Sequence, residues 1–270
     1  MDFVKDLFSV AGKTALVTGA ATGIGRMAAT GLVMGGANVL IASRKGAECA
    51  KVAEELNALG NGKAEGFAGD VSSEEGIAAL VSDVRNRTDK LHILVNNAGV
   101  TWGADYESFP YAAWAKVLNV NVTGLFHLTR ELTPLLAQSS TQDDPARIIN
   151  LGSVMGTQPL ADGAYSYTAS KAAVHHLTRT LANELAERHI TVNAFAPGPF
   201  QSRMTAFATG TDEQADHVGS RVPLGRIGTP DDIAGATLYL CSRAGRYVTG
   251  AVLPLDGGQS VQHGMSLFKE

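Results

Sequence analysis

Short apolar runs alternate with longer amphipathic segments from one end of the chain to the other. Strands are predicted at 14–18, 38–42, 63–68, 93–96, 148–151, 191–196 and 251–255, and helices between them at 46–59, 73–87, 111–138, 167–188 and 230–241. The first six strands are apolar for most of their length, which is typical of parallel strands covered on both faces. Repeated β-α-β units with right-handed crossovers therefore predict an α/β fold, a doubly wound parallel sheet of seven strands.

Local signals support this pattern at the last helix and interrupt it before that helix. Thr229 is a good N-cap and Pro230 a good first helical residue, and two acidic residues follow them. Residues 200–226 are the least regular stretch of the chain. They predict either a mobile substrate loop that closes over a site or a solvated surface loop.

Composition bounds the class of protein. The chain has 270 residues, 45% of them hydrophobic and 18% charged, which is globular composition for one large domain over 1–270. A net charge of −4 gives no electrostatic signal for binding nucleic acid. Charges within residues 1–10, and the lack of a long uncharged apolar stretch, argue against a signal peptide and a membrane span. Cys49 and Cys241 suggest neither a disulfide framework nor a metal site. A cytoplasmic protein is expected.

The first predicted strand leads into a glycine-rich turn, residues 18–25, with the spacing Gly-x-x-x-Gly-x-Gly. Glycines at such a turn let the backbone approach a pyrophosphate, whose charge meets the N-terminus of the next helix. Close packing of a helix on a strand is the alternative reason for the glycines. The position after the first strand favours dinucleotide binding, with contacts from Gly19, Thr22, Gly23, Ile24 and Gly25.

The end of the second predicted strand indicates which dinucleotide would bind. An acidic residue there would hydrogen-bond the ribose hydroxyls of NAD, but the chain has Ser43 and Arg44. A guanidinium can pair with the 2′-phosphate of NADP(H), which a carboxylate would repel. Arg44 therefore predicts NADP(H), and an exposed solubilising arginine is the alternative interpretation.

Three further residues suggest proton transfer coupled to hydride transfer. Tyr167 and Lys171 lie four residues apart on a predicted helix, and Ser153 follows the fifth predicted strand. Lys171 is expected to lower the pKa of Tyr167 from about 10, by up to about three units for a charge at about 4 Å, with burial opposing it. As isolated residues they would be a surface pair and a turn residue. Their joint context favours catalysis.

Taken together, these motifs resemble the short-chain dehydrogenase/reductase family over nearly the whole chain. The similar features are the glycine-rich turn, Asp70-Val71 after the third strand, Asn96-Asn97-Ala98-Gly99 after the fourth, Asn121 in Asn-Val-Thr-Gly, the Ser153, Tyr167 and Lys171 set, and Pro197-Gly198. The resemblance implies a single-domain Rossmann fold. It also implies a homotetramer, with the 111–138 and 167–188 helices at one interface and residues 251–258 at another, and leaves open the order of a C-terminal tail at 261–270.

The same resemblance implies roles for individual residues. Tyr167 would donate a proton to the substrate carbonyl, Ser153 would hydrogen-bond its oxygen, Lys171 would also hold the nicotinamide ribose, and Asn121 would hold a water that links Lys171 to solvent. Further cofactor contacts would come from Asp70, Val71, Asn97, Ala98, Gly99, Pro197, Gly198, Phe200 and Ser202. Many NADP-dependent relatives have a basic residue at the position of Thr22, so Arg44 would hold the phosphate largely alone.

The stretches at 96–103, 145–150 and 197–205 resemble 3-oxoacyl thioester reductases, including the rhamnolipid-biosynthesis type. The resemblance implies an NADPH-dependent enzyme that reduces a ketone to a secondary alcohol, with a thioester of an acyl-carrier protein or coenzyme A as substrate. One alternative is an enzyme of the same fold for another carbonyl or alcohol, such as a sugar, a steroid or a xenobiotic. A non-catalytic NADP(H)-binding sensor is a second alternative, which the complete catalytic set disfavours.

Other residues remain open from the sequence. Trp102, Met155 and Phe200 follow the motifs closely and would either line an apolar substrate pocket or belong to the core. His175 and His176 lie on the predicted helix of Tyr167 without a metal-ligand pattern, so packing or solvation is the default interpretation.

Overall fold

In the computed structural model, which describes residues 3–159, 163–202 and 204–262, seven parallel strands form one sheet. The strand order is β3-β2-β1-β4-β5-β6-β7. The strands are β1 (Thr14–Thr18), β2 (Asn38–Ser43), β3 (Lys63–Ala68), β4 (Ile93–Asn96), β5 (Ala146–Leu151), β6 (Ile190–Pro197) and β7 (Val252–Leu255). The predicted strands are confirmed with shifts of one or two residues at their ends.

Helices occupy the connections between the strands. They are α1 (Phe3–Phe8), α2 (Gly23–Met34), α3 (Gly46–Asn57), α4 (Glu74–Arg87), α5 (Tyr111–Leu118), α6 (Leu125–Gln138), α7 (Tyr165–Leu185), α8 (Ala206–Thr209), α9 (Asp212–Gly219) and α10 (Pro230–Cys241), with a π-helix at Asn119–Gly124 between α5 and α6. The predicted start of α10 is confirmed: Asp232 accepts hydrogen bonds from the backbone nitrogen and the hydroxyl of Thr229.

Two apolar clusters cover the two faces of the sheet. Successive strand residues alternate between them: Leu16 belongs to one cluster, whereas Ala15 and Val17 belong to the other. The first cluster joins the strands to α4, α6 and α7, and the second joins them to α2, α3 and α10. Helices therefore cover both faces of a parallel sheet, which is the doubly wound arrangement of a single-domain Rossmann fold.

Three predicted elements differ from the structure. The 111–138 helix is divided by the π-helix at Asn119–Gly124, where Gly124 packs so closely on Val71 that a Cβ would lie 2.1 Å from the Val71 carbonyl oxygen. The stretch at 200–226 is less irregular than expected, because it contains α8 and α9. β3 is not covered on both faces: it is an edge strand in which Phe67 is the one buried residue.

The strand order places the future site. β1 pairs with β2 on one side and with β4 on the other, so the connections leave the carboxyl end of the sheet in opposite directions at this point. Ligands of open α/β sheets bind in the crevice that such a reversal creates. The glycine-rich turn, Arg44, Asp70, Asn97 and Ser153 all follow strands at this edge.

Candidate active site

The glycine-rich turn connects β1 to α2 at the crevice. Gly19 and Gly23 have φ angles of 68° and 58°, which side chains rarely adopt. A Cβ on Gly25 would lie 2.3 Å from the side-chain nitrogen of Asn97. Thr22 is the N-cap of α2, but its side chain caps no amide, and no acidic residue lies in the first helical turn. The free amides and the positive end of this helix fit a pyrophosphate. Ile24, the second residue of α2, is partly buried and packs against the core.

Asn97 fixes this turn to the end of β4. Its side-chain nitrogen donates to the carbonyl oxygens of Thr18 (2.9 Å) and Gly19 (3.1 Å), and the hydroxyl of Thr18 accepts from the backbone nitrogens of Asn97 and Ala98 at 3.1 Å each. The amide of Asn97 is therefore occupied by the protein backbone. Its position indicates that it shapes the turn, because the backbone nitrogens of Asn97 and Ala98 are also held by the Thr18 hydroxyl.

Arg44 follows the last residue of β2 and is exposed. The preceding Ser43 turns its hydroxyl toward Cys49 and the backbone nitrogen of Lys45. Lys45 pairs with Glu48, whereas no carboxylate of the described chain pairs with Arg44. A guanidinium that finds no carboxylate within residues 3–159, 163–202 and 204–262 fits a phosphate group at this end of the sheet.

Asp70 and Val71 follow β3 and lie against the π-helix. The Asp70 carboxylate accepts a hydrogen bond from the backbone nitrogen of Ser72 at 2.9 Å, and Val71 is buried. The close contact of Gly124 with Val71 joins this side of the crevice to the π-helix that carries Asn121.

The segment after β6 approaches the glycine-rich turn from the opposite side. β6 ends at Pro197, and a Cβ on Gly198 would lie 2.8 Å from the Cα of Asp256. A Cβ on Gly23 would lie 3.1 Å from the Cβ of Ser202, so these two residues nearly touch. Phe200 is 2% exposed and packs with Ala28 and Ile233. Its side chain is a core residue, and it also borders a cavity together with Pro254 and Leu255.

Ser153 lies in the serine loop, residues 152–157, which follows β5. The backbone nitrogen of Gly152 donates to the carbonyl oxygen of Phe195 on β6 at 2.8 Å. The Ser153 hydroxyl accepts from the backbone nitrogen of Met155 at 3.2 Å and caps a short 3-10 helix. A further hydrogen bond links Ser153 to the phenol of Tyr167 and acts on its pKa.

Tyr167 and Lys171 lie one turn apart on α7. The Lys171 ammonium lies 5.4 Å from the ring centroid of Tyr167 and donates to the carbonyl oxygen of Leu151 at 2.6 Å. A Cβ on Gly99 would lie 3.7 Å from the Lys171 nitrogen, so the end of β4 also borders the site. The structure thus brings Ser153, Tyr167 and Lys171 together beside the carboxyl ends of β4 and β5.

The expected lowering of the Tyr167 pKa by Lys171 is wrong for this structure. Burial raises the pKa of the Tyr167 phenol, and the hydrogen bond with Ser153 offsets only part of that rise. Burial also lowers the pKa of the Lys171 ammonium to about 8. Desolvation disfavours the phenolate and the ammonium alike, and the ammonium is hydrogen-bonded to Leu151 rather than to the phenol.

Asn121 lies in the π-helix and is 2% exposed. Its side-chain oxygen accepts from the backbone nitrogen of Val100, and its nitrogen donates to the carbonyl oxygen of Val100 and the hydroxyl of Ser170. Ser170 in turn donates to the carbonyl oxygen of Tyr167 at 2.7 Å. Because these partners occupy the side-chain amide, Asn121 connects β4 to α7, and any water would have to contact its backbone.

Comparisons with known proteins identify the family of this chain. A family model described as enoyl-(acyl carrier protein) reductase matches residues 19–260. The rhamnolipids biosynthesis 3-oxoacyl-(acyl-carrier-protein) reductase of Pseudomonas aeruginosa is 45% identical over 93% of this chain and 97% of that protein. The chain belongs to the short-chain dehydrogenase/reductase family. The 2-dehydro-3-deoxy-D-gluconate 5-dehydrogenase of Bacillus subtilis is 37% identical over 96% of this chain and 98% of that protein. A solved RhlG/NADP active-site complex from P. aeruginosa superposes with a TM-score of 0.90 at 44% identity, over 94% of this chain and 99% of that one.

Within this family framework, the sequence missed two residues that hold the candidate site. Ser170 links Asn121 to the backbone of Tyr167. His175 lies against the serine loop and accepts from the backbone nitrogen of Ser153. A signal for His175 was present, because Tyr167, Lys171 and His175 follow one another at four-residue intervals on one helix face.

The structure also decides whether Trp102 and Met155, which the sequence assigned to either a pocket or the core, are core residues. Trp102 is 37% exposed and stacks under the Lys116 ammonium at 4.9 Å, and Met155 is partly exposed, so neither is a core residue. A cavity of about 300 Å³ between residues 199–200 and 254–258 is lined by none of Asn121, Ser153, Tyr167 and Lys171, and it lies outside this site.

Residues 3–159, 163–202 and 204–262 contain no helix that is long and apolar enough to cross a membrane. Within the same ranges, no group of three histidine, cysteine or acidic side chains is placed to hold a metal ion.

Proposed function

We propose that this chain is an NADPH-dependent reductase that converts a ketone, best a 3-oxoacyl thioester, into a secondary alcohol. The observation that carries the proposal is the partly buried Tyr167 beside Ser153 and Lys171, at the crevice where the glycine-rich turn begins. A phenol in that position can protonate a carbonyl oxygen, which a binding protein or a scaffold does not need.

NADP(H) is the proposed cofactor. The glycine-rich turn and the free amides of α2 would hold its pyrophosphate, and Arg44 would hold its 2′-phosphate. Asp70 and Val71 would border the adenine, whereas Gly99, Pro197, Gly198, Ser202 and the backbone of residues 97, 98 and 200 would border the nicotinamide. The name of the superposed P. aeruginosa complex, which contains NADP, supports this choice. Bound NADPH would supply a hydride to the carbonyl carbon.

The side chains would supply the proton and hold the substrate. Tyr167 would donate its phenolic proton to the carbonyl oxygen, forming the alcohol, and would regain a proton from solvent. The raised pKa of Tyr167 supports this direction, because the phenol remains protonated near neutrality. Ser153 would hydrogen-bond the same oxygen as charge develops on it. Lys171 would hold the nicotinamide ribose, and Asn121 would keep α7 in register with β4.

The substrate segment supports an acyl chain as part of the substrate. In residues 200–226, proposed as the substrate loop, Phe207 and Leu224 are 85% and 70% exposed and Met204 is 40% exposed. Exposed apolar side chains in a substrate loop would suit an alkyl chain better than a sugar. The names of the relatives leave both classes in play, since one reduces a 3-oxoacyl thioester and another oxidises a sugar acid.

A substrate and cofactor panel tests the proposal. Oxidation of NADPH, followed by its near-ultraviolet absorbance, is expected to be fast with acetoacetyl-coenzyme A and slow with keto sugar acids, and NADH is expected to be a poor substitute. Activity confined to keto sugar acids would contradict the thioester as substrate and would favour a sugar acid. If the protein binds NADPH but reduces no carbonyl, the non-catalytic NADP(H)-binding sensor becomes the favoured interpretation.

Replacing Tyr167 by Phe tests the proton donor. The variant is expected to lose about 10²- to 10⁴-fold in kcat, because positioned proton transfer contributes this much. Its affinity for NADPH, measured by fluorescence titration, is expected to change little. Tyr165 starts the same helix and packs on Phe109 instead, so Tyr165→Phe is the matched control. Full activity of Tyr167→Phe would refute the role.

The assembly and location are also proposals. We expect a cytoplasmic homotetramer, with the α5–α6 and α7 helices at one interface and residues 251–258 at another. Light scattering of the purified protein checks the assembly, and a monomer would contradict it. The tail proposed at 261–270 lies outside the described residues from 263 onward.

A further inference from the structure

His175 is a buried imidazole between α7 and the serine loop. It is 4% exposed, although the adjacent His176 on the same helix is exposed. Its Nε2 accepts from the backbone nitrogen of Ser153 at 3.4 Å, and its Nδ1 lies 3.4 Å from the hydroxyl of Thr157. One ring therefore contacts both ends of the five-residue span from Ser153 to Thr157.

Two glycines make room for this imidazole. A Cβ on Gly152 would lie 2.2 Å from the Nε2 of His175, and a Cβ on Gly156 would lie 2.7 Å from its Cε1. Contacts this close leave no space for a side chain at either position. The loop backbone is therefore packed directly against the ring at both glycines.

The hydrogen bonds determine the tautomer. A backbone nitrogen can only donate, so Nε2 must be the unprotonated ring nitrogen. The proton of the neutral ring is then on Nδ1, where it faces the Thr157 hydroxyl. The charged groups that act on the ring, Arg179 and Lys171, lie on its own helix, and both disfavour a second proton together with burial. The serine-loop residues that contact the ring, Gly152, Ser153, Gly156 and Thr157, carry no charge.

We infer that neutral His175 positions Ser153 for the reaction: its Nε2 holds the Ser153 backbone so that the hydroxyl faces the Tyr167 phenol and the substrate oxygen. This inference rests on the proposed function. His175 touches neither substrate nor cofactor, so it acts through Ser153 and is a positioning residue. A displacement of about 1 Å at a reacting group can cost on the order of 10²-fold in rate.

A double-mutant cycle separates positioning from a general structural role. His175→Phe is expected to lower kcat on acetoacetyl-coenzyme A by about 10- to 100-fold with little change in the KM for NADPH. Ser153→Ala is expected to lower it as well, and the double variant should be no slower than Ser153→Ala. His175→Gln, which keeps an acceptor, should recover part of the loss, and His176→Phe should behave as the parent protein. Additive losses in the double variant, or full activity of His175→Phe, would overturn the inference.

The pH dependence of the reverse reaction gives a second readout. Oxidation of a 3-hydroxyacyl thioester needs the Tyr167 phenolate, whose pKa the Ser153 hydrogen bond lowers. If Ser153 is displaced, the rising limb of kcat/KM should move to higher pH in His175→Phe and in Ser153→Ala alike. An unchanged limb in His175→Phe beside a shifted one in Ser153→Ala would contradict positioning.

A measurement without turnover distinguishes failure of this inference from failure of the proposed function. Amide hydrogen exchange in the peptide that covers the serine loop should be faster in His175→Phe than in His176→Phe. Faster exchange in His175→Phe, in a protein that reduces no carbonyl, would support the contact between His175 and the loop and would contradict the proposed reaction. Equal exchange in the two variants would remove His175 from the loop, whatever the activity.

Discussion

At the scale of single residues, the site depends on charges that the fold has partly desolvated. Lys171 is 5% exposed, and its cation donates a hydrogen bond to the Leu151 carbonyl oxygen. Arg44 is the opposite case, an exposed cation for which the described chain offers no carboxylate. The desolvated ammonium of Lys171 can take part in a reaction, and the exposed guanidinium of Arg44 can bind a ligand phosphate.

Arg44 is expected to determine the choice of cofactor. Arg44→Ala should weaken NADPH binding by about 10- to 100-fold, since charge-assisted hydrogen bonds contribute about 1.5–3 kcal/mol. NADH binding should hardly change, because that cofactor lacks the 2′-phosphate. Lys45→Ala is the control, because Lys45 is the neighbouring cation and already pairs with Glu48. Equal weakening of both cofactors in titrations would contradict the role.

Lys171 is expected to reduce stability while it serves activity. Its pKa falls from 10.5 to about 8, so below pH 8 the native state carries a penalty of roughly 3 kcal/mol relative to the unfolded chain. The native state binds fewer protons between these values, so stability rises with pH through this window.

Lys171→Met should therefore raise the free energy of unfolding at pH 7 by about 1–2 kcal/mol, after the loss of the Leu151 hydrogen bond is subtracted. The variant should be inactive. Urea unfolding followed by circular dichroism at pH 7 and above pH 10 checks both parts, and the gain should vanish at the higher pH. A variant less stable than the parent at pH 7 would show that the ammonium is well solvated.

At the scale of elements, close backbone approach determines how helices meet. α2 and α10 pack through Gly31, where a Cβ would lie 2.9 Å from the Cα and the Cβ of Ala234. α3 packs on β3 through Gly66, where a Cβ would lie 2.1 Å from the backbone of Cys49. The π-helix meets Val71 in the same manner at Gly124. The π-helix divides the one predicted helix into three elements, and in it Asn121 is hydrogen-bonded to Val100 and Ser170.

Two glycines on the paired helices provide a matched test. Gly31→Ala should destabilise the protein by about 1–3 kcal/mol, because the added methyl overpacks the contact with α10. Gly235 lies exposed within α10, and a Cβ there would meet no atom within 4 Å. Gly235→Ala should stabilise by about 0.5–1 kcal/mol, through lower backbone entropy in the unfolded chain. Denaturation midpoints of the two variants should move in opposite directions.

At the scale of the whole molecule, the carboxyl edge of the sheet assembles the site from six of the seven strands. Each predicted motif follows a different strand, and α7 and the π-helix supply the rest from above that edge. The serine loop, the glycine-rich turn and the segment after β6 are therefore mutually dependent. Because the protonation of a buried histidine differs between the native and unfolded states, it is linked to global unfolding.

The free energy of unfolding should fall as the pH drops from about 6.5 toward about 4, in part through His175. Its pKa is lowered from 6.5 to about 4 by burial and by the nearby cations Arg179 and Lys171, so the unfolded chain takes up a proton that the native state does not. His92, whose pKa burial also lowers, acts in the same direction.

The decisive quantity is the difference between variants. His175→Phe should flatten the pH dependence of stability between these values, because the His92 contribution is common to both proteins. His176→Phe should leave the dependence as it is. Chemical denaturation at three or four pH values checks this, and identical slopes for all three proteins would show that His175 has the same pKa in the native state as in the unfolded chain.

The sequence by itself determined the elements, their parallel arrangement and the order of the motifs. Apolar runs separated by helix-length segments allow few ways to bury both faces of a sheet, and the glycine spacing, Arg44 and the Ser153, Tyr167 and Lys171 set follow local chemistry. Only the tertiary structure decided how these groups interact. Burial reversed the expected shift of the Tyr167 pKa, the side-chain nitrogen of Asn97 and the side-chain amide of Asn121 proved to be hydrogen-bonded within the protein, and Phe200 turned into the core. His175 gained its partner from a loop 22 residues earlier. Desolvation and contact depend on what packs around a side chain, which spacing along a chain does not contain.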